Sequence, residues 1–281
     1  MFKLKSKGAG MKAGKQAIIV FLILFLNGLV AQQTWHGKLS GDTKWSGEII
    51  LDGDIIVPKG ISLNIEPGTK IYVLPGTDVT KSGKDKNRTE ILVFGSFIAN
   101  GEPNNRILFT SRNDNPQMND WYGIILRNKS GTNLINYVTV EYAYVGLTTI
   151  NCKAIIKNSQ FRYNYYTGIS AELRSKPIIQ NCVLSNNDYA GLKCEYGAMP
   201  VVRFSIISGN SHGVIIFNEA EPILGKIEAN GEVSGGYNRI FDNFDYNIYN
   251  HTYKTIYAQV NNWLTSSTAE IMKTIYDRSK D

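Results

Sequence analysis

Short apolar runs that alternate with polar positions fill most of this chain, and between residues 122 and 218 they recur in register. Five of them carry a glycine near their start: Gly123, Gly146, Gly168, Gly191 and Gly213, at spacings of 23, 22, 23 and 22 residues. In order they read YGIILRN, VGLTTIN, TGISAEL, AGLKCEY and HGVIIFN. After each of the first four comes a second run: NLINYVTVEYA, AIIKNSQFRYN, PIIQNCVLSNN and PVVRFSIISGN. Two or three strands per period leave no room for helices, so the pattern predicts a repeat built from strands and turns.

One coil of that size cannot bury its own inner face, so successive coils must stack, and the predicted architecture is an all-β parallel β-helix solenoid of about eight coils. Strand alternation counted from the glycines puts Ile124, Leu147, Ile169, Leu192 and Val214 on one inward line. Leu126, Thr149, Ala171, Cys194 and Ile216 form a second, and Val140, Phe161, Leu184 and Ile207 a third. Asn164, Asn187 and Asn210 align before the glycines, with Asn243 one coil on. They read as an amide ladder pairing corner backbone groups between coils, with ordinary turn residues as the alternative.

Charge changes the picture at the amino terminus only. The formal net charge is +6, but Lys3, Lys5, Lys7, Lys12 and Lys15 all precede the first acid, which leaves +1 from Gln32 onward. That balance gives no reason to expect a nucleic-acid partner. The lysines, the apolar run Ala17–Leu26 and the sequence Gly28-Leu29-Val30-Ala31 read as a secretory signal over residues 1–31, with Met1 or Met11 as the start. Export to the periplasm, cell surface or medium follows, with no membrane span after cleavage; an uncleaved anchor is the alternative. Cys152, Cys182 and Cys194 are an odd number, two of them on inward lines, and read as small core residues. The remaining chain divides into a solenoid over 32–263 and a tail over 264–281, with Ser267 and Glu270 as a capping box for a short C-terminal helix that plugs the open end or docks a protein partner.

The first coils are less regular. A polar segment, Thr77 to Arg88, is expected as an exposed loop, and Gly225 to Gly236 as a projecting insertion beside Phe217. GDIIVPKGISLNIEPGTKIYV, then ILVFGSFIANGEPNNRILFTS, then DWYGIIL resemble the opening coils of bacterial secreted right-handed parallel β-helix proteins, the pectin-lyase-like or NosD-like repeat group. GYNRIFDNFDYNIYNHTYKTIYAQVNNW is similar to that group's closing segment, although Leu264-Thr265 follows Trp263 where a glycine is usual. The resemblance implies the fold and a polysaccharide as ligand class; it does not fix an activity.

Outward positions must carry any chemistry. One outward line holds Ile125, Thr148, Ser170, Lys193, Ile215 and Tyr249; the next holds Arg127, Ile150, Glu172, Glu195, Phe217 and His251. Glu172 and Glu195 should stack on adjacent coils at ~4.8 Å with Lys193 beside them, a spacing at which one carboxyl could serve as a general acid. Glu172, Lys193 and Glu195 are therefore the candidate catalytic residues, with Phe217, Tyr249, His251 and Tyr196 as candidate ligand contacts. The same cluster reads first as a solvated Glu-Lys-Glu surface, then as a carbohydrate or cation contact, and only after these as a catalytic site. No metal site or cofactor motif is found: His36, His212 and His251 are scattered, and Asp242 and Asp245 flank a corner. Lys193, Arg162 and Arg203 are possible bases for a lyase on exposed positions, with no aspartate cluster resembling a Ca²⁺ site beside them. The sequence thus points to an exported, non-catalytic polysaccharide-binding or structural module. The alternatives are a polysaccharide lyase or glycoside hydrolase, and a cell-surface adhesin or assembly component.

Overall fold

The computed structural model describes residues 34–278, so the signal read from residues 1–31 lies outside the described residues. Within them the chain winds through three parallel faces. The first face carries the glycine-led strands Trp121–Leu126, Ala143–Ile150, Thr167–Glu172, Ala190–Cys194 and His212–Ile216, continues with Tyr246–Asn250, and ends on Ile275–Asp277. The second holds Asn133–Asn136, Ile155–Lys157, Ile178–Gln180 and Val201–Arg203. The third holds Val138–Glu141, Gln160–Arg162, Val183–Ser185, Ile206–Ser208 and Arg239–Phe241. Each second run of the repeat is therefore two strands. In the opening coils the long strand Glu48–Val57 serves two faces, pairing its first half with Lys70–Val73 and its second with Ile91–Val93.

What splits the runs is the backbone at the corners. Tyr137, Asn158, Asn181, Phe204 and Tyr237 all lie between the second and third faces with φ near +50°. Asparagine reaches that left-handed region cheaply, whereas Tyr and Phe do so only because the stacked coils hold them there. Tyr142, Tyr163, Asn186, Gly209 and Asp242 do the same between the third and first faces.

The three predicted inward lines are buried throughout. The second face adds a fourth that the repeat pattern did not single out: Trp45, Ile65, Ala99, Ile135, Ile156, Ile179 and Val202 stack in register, all buried. The asparagine ladder is present. Asn187 Oδ1 accepts from the Asn164 backbone N–H and Nδ2 at 3.2 and 2.9 Å, while its own Nδ2 donates to Asn210 Oδ1 at 3.0 Å and to the Phe161 carbonyl at 3.1 Å. Asn210 repeats the pattern on Asn243 at 2.9 Å. The three cysteines are buried and free, and burial pushes the Cys152 and Cys182 thiols up to about 11 and about 12.

Helix Thr268–Lys273 starts at Ser267, whose hydroxyl accepts from the Glu270 N–H at 3.4 Å. The reciprocal half of the capping box is absent: Glu270 accepts from the Thr265 hydroxyl, and Thr265 in turn receives the Ser267 N–H at 3.1 Å. The helix buries no residue; the side chains packed on the end of the core are Ile256, Ala258, Trp263 and Ile275. It carries the chain to the terminal strand of the first face. Gly225 to Gly236 forms a short antiparallel pair, Lys226–Ile227 with Val233–Ser234.

Asn187→Ala should lower unfolding stability by about 2 kcal/mol or more, because it removes the acceptor of two buried Asn164 donors and the donor to Asn210 Oδ1 and the Phe161 carbonyl. Urea denaturation followed by far-UV circular dichroism measures this, and an unchanged midpoint would show that the ladder is dispensable.

Candidate functional site

The outward line of the first face is unbroken over ten rungs: Lys38, Ile56, Leu92, Ile125, Thr148, Ser170, Lys193, Ile215, Tyr249 and Tyr276 pair in series. Thr148, Ser170 and Lys193 form the floor of a cleft of about 360 Å³. Ile150, Glu172, Glu195 and Tyr196 stand on one side, and Lys84 with Tyr122, Tyr144 and Tyr166 on the other.

The tyrosine wall is a continuous stack. Tyr122 lies 5.5 Å from Tyr144, Tyr144 lies 5.5 Å from Tyr166 at an interplanar angle of 6°, and Tyr166 lies 4.9 Å from Tyr189 at 11°. His212 takes the next place, edge-on to Tyr189. Because the rings face one another along the solenoid, they offer edges and hydroxyls to the cleft rather than open faces.

Lys84 reaches the cleft from the segment Thr77–Arg88, an exposed loop as expected, tied to the solenoid by side-chain hydrogen bonds. Asp54, fully buried, is its anchor. Its Oδ2 accepts from the Ser82 N–H (2.9 Å), Ser82 hydroxyl (3.0 Å), Gly83 N–H (2.6 Å) and Thr80 hydroxyl (3.1 Å), and its Oδ1 from the Glu90 N–H (2.9 Å). Glu90 is buried with one oxygen accepting from the Lys84 N–H and the other unpartnered. Burial, seconded by the charges of Asp54 and Asp85, pushes its carboxyl up to about 7 against the Lys84 N–H and ammonium. Burial pulls Lys84 down, but the Tyr122 hydroxyl, Glu172 and Glu90 outweigh it and hold the ammonium above its usual range.

Lys193 is only 9% exposed, not an open surface lysine. Its ammonium donates to Glu195 Oε1 at 2.6 Å and sits 5.4 Å from the Tyr166 ring centre. Burial lowers its pKa, yet the bond and charge of Glu195, with Tyr166 and Glu172, raise it overall, so Lys193 is protonated. Glu172 accepts from the Ser170 hydroxyl at 2.8 Å. Each carboxylate therefore has a side-chain donor of its own, the Ser170 hydroxyl for Glu172 and the Lys193 ammonium for Glu195.

Of the residues proposed from sequence, Glu172, Lys193, Glu195 and Tyr196 line this cleft. Phe217, Tyr249 and His251 do not. They pack on one another, with Phe217 at 5.9 Å from Tyr249 and 5.4 Å from His251, while Tyr276 stacks on Tyr249 at 4.5 Å. None of the Gly225–Gly236 insertion lines the cleft. Of the other bases weighed, Arg162 is paired with Glu141 at 3.0 Å and Arg203 with Gln180 at 2.7 Å, both on other faces. Lys84, Tyr122 and Tyr144 were not foreseen; the tyrosines had a signal, since Tyr122, Tyr144, Tyr166 and Tyr189 keep the 22–23 residue period. Among the described residues, no three His, Cys, Asp or Glu side chains are grouped to hold a metal ion.

Residues 145–273, which carry Glu172, Lys193 and Glu195, match the family model described as a right handed beta helix region. With the stacked parallel faces, this match gives the fold, a right-handed parallel β-helix solenoid. No curated protein and no solved structure matches the chain.

A folded-state value of about 7 for Glu90, against 4.5 for a free glutamate, gives the pH dependence a sign. Between those values the native state holds a proton that the unfolded chain has released, so stability is fullest at the acid end and falls as pH rises to about 7. Glu90→Gln should remove that part of the slope in melting temperature against pH; an identical slope in the variant would assign it elsewhere.

Proposed function

We propose that the protein is an exported, non-catalytic glycan-binding module whose binding site is the cleft over Thr148, Ser170 and Lys193. The observation that carries this reading is the state of the charged groups. A lyase needs an unprotonated base, and Lys193 is held protonated and bonded to Glu195, while Glu172 is engaged by the Ser170 hydroxyl, so the charged groups are tied to neighbours within the cleft. The same groups suit binding: two ammonium groups, two carboxylates, the Thr148 and Ser170 hydroxyls and a row of tyrosine edges form a concave, hydrogen-bonding surface on a rigid scaffold. Export is supported by the lysine-rich, apolar amino-terminal sequence.

A polysaccharide panel tests this, read in parallel by thermal shift and by reducing-end and unsaturated-product assays. Binding without cleavage is expected, weakened about tenfold in Glu172→Ala and in Lys193→Ala, the scale of one lost hydrogen bond to a charged group. Cleavage abolished by either substitution would replace this reading with an enzyme.

A further inference from the structure

The second face has a composition unlike the rest of the surface. Its outward column reads Ile98, Leu134, Ile155, Ile178, Val201 and Ile223 in unbroken register, all aliphatic. At ~4.8 Å per rung it is roughly 24 Å long. Ile155 and Ile178 are 50% and 39% exposed, and Leu173, at the corner beside them, 46%. An outward strand position has no structural need for an aliphatic side chain on six successive coils.

Cations frame this column. Lys129, Lys153, Arg174 and Lys176 lie on the turns that lead into the face, and Lys157 and Arg203 occupy its next outward column. The stretches 128–137, 151–159, 173–182 and 196–205, which make the turns and second-face strands of four consecutive coils, contain no Asp or Glu. None of the six cations takes part in a salt bridge among the described residues. The small net charge of the solenoid conceals this segregation.

We propose that the second face is a docking surface for an anionic lipid bilayer, with the aliphatic column at the headgroup boundary and the flanking cations on the lipid phosphates. Apolar side chains interleaved with lysine and arginine are what an interfacial anchor requires, and the straight rungs present them in one plane. The other occupants fit less well. A second copy of the chain would set cations against cations. A soluble polyanion would use the cations but leave the aliphatic column unexplained, and this column has no aromatic ring on which a base or sugar could stack. The site is separate from the cleft and does not depend on it. No helix among the described residues is long and apolar enough to cross a membrane, so the attachment is peripheral for this part of the chain.

The test uses the full chain. Because the run Ala17–Leu26 can associate with any bilayer, the readout is placed on the face itself: Ile178→Cys labelled with an environment-sensitive fluorophore, the three native thiols being buried. Vesicles of equimolar phosphatidylcholine and phosphatidylglycerol should shift its emission to the blue. Phosphatidylcholine alone should not, and high salt should reverse the shift. Lys153→Glu with Lys176→Glu should weaken the response about tenfold or more at unchanged melting temperature. Lys70→Glu with Lys273→Glu, an equal change of charge elsewhere, should leave it intact. Vesicle pelleting with no shift at position 178, or equal shifts on both vesicle types, would overturn the proposal. So would an equally lysine-dependent shift on adding polygalacturonate or oligodeoxythymidylate without lipid.

Discussion

Every feature of this protein depends on one spacing, the ~4.8 Å between hydrogen-bonded strands, which places each residue directly over its equivalent in the previous coil. Inside, that spacing makes columns: Ile124, Leu147, Ile169, Leu192 and Val214 bury one another in turn. It also creates a difficulty at the corners, where the backbone leaves the sheet and its polar groups are buried without strand partners. The ladder from Asn164 through Asn187 and Asn210 to Asn243 resolves it, because an amide has both a donor and an acceptor and can serve the coils on either side.

The same stacking shapes the surface. Tyrosines kept at the repeat period become a wall of rings with their faces against each other, so that what reaches the cleft is a line of edges and hydroxyls. Lys193, on an outward position, is nevertheless covered, because Glu195 and Tyr166 fold over it. A lysine held this way is a fixed positive charge rather than a base. On the neighbouring face, repetition gathers like with like, and aliphatic and cationic positions that are unremarkable within one coil become continuous bands over several.

Much of this was legible in the chain. Glycine spacing and alternation determined the solenoid, its three inward lines and the asparagine ladder, because a period of 22–23 residues in short strands can bury its apolar positions only by stacking. Register followed too, so Glu172, Lys193 and Glu195 fell together as expected. Tertiary structure alone decided which outward residues form a site. Lys84 comes to the cleft from an exposed loop that is held by a buried carboxylate, Asp54, some thirty residues before it, a tie the sequence pattern does not show. Phe217, Tyr249 and His251 share the register of the cleft yet satisfy each other instead. Periodicity assigns a residue to a row; burial, protonation and open surface depend on side chains arriving from other parts of the coil, and those contacts exist only once the coils have closed.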